Sequence, residues 1–180
     1  MSRRLADGPR DEMPARHDRP WVDAVVALGA NLGDREATLD AAVKDLARLP
    51  LVAEVRVATP IESVAVKPEG PDEDAPAYLN SVAILTTRLA PSVLLEYLHR
   101  IEARHGRERR ERWGDRTLDL DLVSYGDVQS TSPALTLPHP RAAEREFVLA
   151  PWLAIDPDAD LPGVGRVDAL LERVRTGDAS

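Results

Sequence analysis

The chain contains no cysteine, which excludes disulfides, zinc-thiolate sites and thiol nucleophiles. Any metal must therefore be held by oxygen or imidazole. No apolar run approaches the roughly 20 residues needed to cross a bilayer, and the N-terminus lacks the apolar core of a signal peptide. A soluble cytoplasmic protein without membrane contact is expected. Net positive charge is also missing: the balance is -8, which argues against general nucleic-acid binding. No internal repeat is evident.

The length of 180 residues is that of one domain with a real core. Residues 1–20 mix charges and prolines with no periodicity and are expected to form a disordered tail, leaving 21–180 as a single domain. Val22 to Leu28 reads as a short buried strand ending at Gly29. Gly29 to Asp34 then reads as a structural turn, because no Gly-Lys-Ser/Thr follows and the dinucleotide spacing is absent. Asp34 fits the N-cap of a helix running to about Leu49, with Leu39, Val43 and Leu46 at helical spacing.

Valines and Ile61 between Leu51 and Val66 predict extended structure interrupted near Pro60. Lys67 to Ala77, rich in proline and acid, reads as a mobile loop, either connector or lid. Tyr78 to Leu89 reads as a strand with Tyr78 and Asn80 on one face. Pro91 suits the first turn of a helix whose stripe is Leu94, Leu95, Leu98 and Ile101, ending near Gly106. Glu102, at the edge of that stripe, reads on its own as a solvated partner for an arginine such as Arg104 or Arg107. Residues 127–147 carry turn formers and two prolines flanking His139, and Val167 to Val174 fits a last amphipathic helix. Helices alternating with short-linked strands predict an α+β fold with a mainly antiparallel sheet.

The chemistry gathers between Arg107 and Tyr125. Against the acidic background, Arg100, Arg104, Arg107, Arg109, Arg110, Arg112 and Arg116 form a local excess suited to an anion. Next comes a strand in which Leu118, Leu120 and Leu122 point to one face while Thr117, Asp119, Asp121 and Val123 point to the other. Strand neighbours on one face lie about 7 Å apart, close enough for two carboxylates to converge on one divalent cation or a pair. Carboxylates suit magnesium, arginines neutralise a transferring phosphoryl group, and the rings of Tyr78, Trp113 and Phe147 can sandwich a flat heterocycle. Magnesium-dependent transfer from a nucleotide to a planar ring follows. Another two-metal enzyme, a nuclease or sugar-nucleotide transferase, competes with this reading. So does a non-catalytic module whose arginines dock an acidic partner.

The run RWGDRTLDLDLVSYG closely resembles the signature of the 6-hydroxymethyl-7,8-dihydropterin pyrophosphokinase family. VALGANLGD, YLN, RIEARHGRER and LTLPHPRAAEREFVLAPW resemble other family segments, so the likeness covers about Val25 to Pro162. It implies a ferredoxin-like α+β fold and transfer of pyrophosphate from ATP to the pterin hydroxymethyl group, releasing AMP, in folate biosynthesis. It implies two magnesium ions on Asp119 and Asp121, and Arg107 and Arg116 acting on the triphosphate. His99, Glu102, Arg109, Leu122, Thr136, His139 and Arg145 fall at positions of ATP contact. Tyr78 and Phe147 resemble the pair that stacks on the pterin, Asn80 the residue that reads its polar edge, and Trp113 a residue that closes over it. A monomer is the family expectation. One departure stands inside the signature: Asp115 occupies the usual proline position, which implies a looser hairpin.

Overall fold

The computed structural model describes residues 19–67, 70–72, 77–106 and 117–177. In chain order its strands are β1 (Val22–Ala30), β2 (Val52–Val57), β3 (Ile61–Ser63), β4 (Ala65–Lys67), β5 (Gly70–Asp72), β6 (Tyr78–Thr87), β7 (Asp119–Tyr125), β8 (Ser130–Ser132), β9 (Leu135–Leu137), β10 (Asp160–Leu161) and β11 (Gly165–Arg166). The helices are α1 (Arg35–Ala47), α2 (Pro91–Arg104), α3 (Glu146–Ile155) and α4 (Val167–Thr176), with a 3-10 turn at Ala142–Glu144.

The main sheet runs β2-β6-β1-β7, with β3 pairing β6 beyond the end of β2, and all its pairings are antiparallel. Leaving β3 aside, the order β1, α1, β2, β6, α2, β7 with this strand arrangement is a ferredoxin-like α+β fold. Strand alternation sends Ala24, Val26, Leu28, Ala83, Leu85, Leu120 and Leu122 to one face, where they pack with Leu39 and Leu46 of α1 and Leu94, Leu98 and Ile101 of α2. The opposite face sends Val25, Val82, Ile84 and Val123 against Val148, Leu149 and Trp152 of α3 and Leu170 and Leu171 of α4. Both faces of β1 and β6 are therefore covered along most of their length. The site lies where α3 and α4 leave the second face open.

Local signals set the helix boundaries. Asp34 caps α1, its Oδ1 accepting from Ala37 N at 3.0 Å, and Pro91 sits in the first turn of α2. Two expectations need correcting, and one stretch holds more regular structure than its turn formers alone indicate. The segment read as a loop from Lys67 pairs Ala65–Lys67 with Gly70–Asp72 as a small hairpin, and its remaining residues 68, 69 and 73–76 lie outside the described ones. Gly29 and Ala30 belong to β1 rather than to the following turn, because β6 extends far enough to pair with both and β7 far enough to pair with Gly29. The proline-flanked stretch after Gly126 folds into the β8–β9 hairpin and the 3-10 turn. Of the expected tail, only residues 19 and 20 are among the described ones.

Candidate active site

Three strands place the site residues in rows. Gly29 pairs with Asn80 on one side and with Asp119 on the other, so Asn80, Gly29 and Asp119 form one line across the sheet. In the next row Ala27 stands between Val82 and Asp121. At strand spacing, the asparagine and the acid strand are roughly 10 Å apart, with two small residues as the floor between them. Above that floor is a cavity of about 490 Å³ lined by Tyr78, Asn80, Asp119, Asp121, His139, Arg145 and Phe147, together with Gly29, Ser63, Val64 and Glu144. Its volume suits a small organic ligand.

The acid end is flanked by a guanidinium and an imidazole. Arg145 Nη1 donates to Asp121 Oδ2 at 3.0 Å, and His139 Nε2 lies 3.8 Å from the same oxygen. His139 arrives there because its backbone N–H donates to Val123 O at 2.8 Å, tying the 138–141 turn to β7. Burial pushes the His139 imidazole below its ordinary value, assisted by Arg145 and Arg141 and opposed by Asp121 and Asp119. The ring is therefore neutral at pH 7, with Nδ1 accepting from Arg141 N at 3.2 Å. The Arg145 guanidinium also stands 5.7 Å from the centre of the Phe147 ring, joining the acid end to the aromatic end.

At the far end of the cavity, Asn80 Nδ2 donates to Ser63 Oγ at 2.7 Å. A side chain at Gly29 would press on this amide: its Cβ would come to 3.2 Å from Asn80 Oδ1. Glycine here serves a close approach within a strand. Sequence reading missed Gly29, Ser63, Val64 and Glu144 as lining residues. Gly29 was reachable, since continuing the alternation of Val25 and Ala27 by one step puts it on the site face.

Glu102 corrects its reading as a solvated partner of arginine. It is 1% exposed, and its Oε1 accepts from Leu120 N at 3.0 Å, between the two aspartates. Of the other expected residues, Leu122 is buried among the leucines of the α1/α2 face, while His99 on α2 and Thr136 on β9 are exposed. These four do not line the cavity just described. Arg107, Arg109, Trp113, Asp115 and Arg116 lie outside the described residues.

Asp119 and Asp121 project from one face of β7 and are half-buried, flanked by the buried Leu118, Leu120 and Leu122. Two hard oxygen donors with open space before them fit magnesium, which keeps several waters and shares the rest of its shell with substrate phosphates. No group of three or more His, Cys, Asp or Glu able to hold a metal occurs among the described residues, so a site made wholly of protein ligands does not fit them.

The ferredoxin-like sheet, with a carboxylate pair at one end of its cavity and aromatic side chains at the other, defines a small α+β enzyme class. Residues 25–157 match the family model described as 7,8-dihydro-6-hydroxymethylpterin-pyrophosphokinase. A Haemophilus influenzae protein named 2-amino-4-hydroxy-6-hydroxymethyldihydropteridine pyrophosphokinase is 39% identical over 152 residues, covering 84% of this chain and 92% of that one. A Mycobacterium leprae protein of the same name is 42% identical over 161 residues, covering 82% of this chain and 80% of the relative. The fold is similar to that of wild-type Plasmodium falciparum HPPK-DHPS crystallised with pteroate, at a TM-score of 0.67 and 10% identity. That match covers 91% of this chain and 46% of the other, so the chain spans about half of that larger protein. The chain belongs to the 7,8-dihydro-6-hydroxymethylpterin-pyrophosphokinase family.

Proposed function

We propose that the cavity is where this pyrophosphokinase moves pyrophosphate from ATP to the hydroxymethyl group of 6-hydroxymethyl-7,8-dihydropterin, the folate-pathway step its family performs. The observation that carries the spatial part is the row Asn80, Gly29, Asp119, which holds a ring-reading amide and a phosphate-side carboxylate a small molecule's length apart. The pterin lies at the Asn80 end between Tyr78 and Phe147, its polar edge against Asn80. Trp113 closes over it.

The triphosphate lies toward β7. Asp119 and Asp121 would hold two magnesium ions, which when bound neutralise and align the phosphate oxygens. Arg107 and Arg116 grip the triphosphate as charge develops on the transferring group, while Arg145 and the neutral His139 hold its near side. His99, Glu102, Arg109, Leu122 and Thr136 serve the nucleotide end. Glu102 does so while its carboxylate accepts from the β7 backbone. The pterin hydroxymethyl oxygen attacks the β-phosphorus in line, its O–P bond forming as the bond from the β-phosphorus to the oxygen of the AMP phosphate breaks. AMP leaves with that oxygen, and the proton of the hydroxymethyl group is released to solvent. Alignment and charge neutralisation carry such a transfer, so no separate general base is assigned.

A monomeric cytoplasmic enzyme over residues 21–180, with no nucleic-acid or membrane partner, completes the proposal. The acidic balance supports it, and no helix among the described residues is long and apolar enough to cross a membrane.

Incubation with ATP, magnesium and the hydroxymethyl dihydropterin is expected to yield AMP and the pterin diphosphate. Chelation, or Asp119→Ala, should abolish turnover with the circular dichroism unchanged. Formation of ADP, or turnover indifferent to chelation, would overturn the substrate or the metal assignment respectively.

A further inference from the structure

Arg35 opens α1, where a positive charge works against the helix dipole. Its guanidinium reaches out of the helix to one strand and to the residue that leads into another. Nη1 donates to Ala77 O at 2.6 Å, just before β6, and Nη2 to Glu62 Oε1 at 2.8 Å, on β3. These two strands form the ladder at the ring end of the cavity, with Glu62 opposite Leu79 and Ser63 opposite Tyr78. Alternation then decides what the grip does. Glu62 and Leu79 point to the α1 side, so Ser63, Tyr78 and Asn80 point the other way, into the cavity.

An ion pair this exposed, with Arg35 at 30% and Glu62 at 65%, adds little to stability alone. Its geometry is more informative than its strength. One rigid fork holds the residue before Tyr78 and the residue before Ser63, and Ser63 in turn accepts from Asn80. A lysine has a single point charge and cannot span both acceptors in the same way. We infer that Arg35 is a positioning residue for the ring end of the cavity: from the opposite face of the sheet, it sets the spacing of β3 and β6 that aims Tyr78, Ser63 and Asn80 at the pterin. The inference rests on the pterin assignment made above for that end.

The test pairs hydrogen exchange on ligand-free protein with kinetics, for wild type, Arg35→Met, Arg35→Lys and Glu62→Gln. In Arg35→Met, amides of residues 61–63 and 78–80 should exchange faster while those of 82–86 keep their protection. KM for the pterin should rise roughly tenfold, with KM for ATP held to within about twofold. Arg35→Lys should recover only part of the loss. Glu62→Gln, which leaves the Ala77 contact in place, should show a smaller change of the same kind. Unchanged exchange and unchanged pterin KM in Arg35→Met would overturn the inference. So would a loss shared equally by both substrates with exchange rising across the whole of β6, which is the mark of a general role in folding. Should wild-type protein fail to use the pterin, the substrate reading falls instead, and the exchange pattern alone then decides the role of Arg35.

Discussion

Arg145 and Asp121 form an ion pair at 3.0 Å inside the cavity, so one of the two site carboxylates already faces a cation. The same guanidinium lies against the Phe147 ring. Removing it takes a positive charge from beside the carboxylate pair and, with ATP placed as proposed above, a grip on its phosphates. Arg145→Met is expected to bind Mn2+ more tightly in the free protein, read by paramagnetic resonance titration. Its turnover should fall by roughly 10²- to 10³-fold, the usual cost of losing a well-placed charge donor.

Glu102 predicts a contrast between two variants. Glu102→Ala leaves Leu120 N–H without its carboxylate partner in a buried place, which costs about 1–3 kcal/mol, whereas Glu102→Gln keeps an acceptor and most of the stability. Urea unfolding of the two variants checks this. Equal losses would mean that the charge, rather than the hydrogen bond, holds the strand.

At Gly29 the expected effect falls on binding. A methyl group there crowds the Asn80 amide, which can yield only by moving away from Ser63 or into the cavity. Gly29→Ala should raise the pterin KM by about tenfold with little change in KM for ATP. Steady-state kinetics with each substrate varied in turn measures both.

Tyr125 gives the stability a pH dependence far from the site. Its hydroxyl donates to Leu89 O, and burial raises its pKa above the ordinary 10.0, with Arg19 opposing. The folded state thus keeps the proton after the unfolded chain has released it. The contribution is full below the unfolded value and is lost as pH rises through the folded one. Tyr125→Phe should be less stable than wild type near neutrality, with the gap narrowing above about pH 10 in urea titrations.

Much of this site could be read from alternation. Leu118, Leu120 and Leu122 do face the α1/α2 core, and Asp119 and Asp121 do face the cavity, because a half-buried strand writes its two faces into every second residue. Asp34 and Pro91 marked helix starts through local chemistry that needs no partner. Contacts set by distant chain were not legible. Glu102 is buried because the backbone of β7 comes to it, and nothing within α2 says so. α3 hid behind Pro151 and an apolar run without helical period, since Val148, Leu149 and Trp152 all find partners in the core. Nothing in the neighbouring sequence marks Arg35, whose two acceptors lie 27 and 42 residues away.

The outer margin of β7 has a further consequence. Leu120 N–H is taken by Glu102, and Val123 C=O by the backbone of His139. A border strand with free amides and carbonyls invites a second molecule to extend the sheet. Here the contacts that steady the acid strand also occupy groups an incoming strand would need, so the same two bonds that shape the chemistry guard the protein against edge-to-edge aggregation.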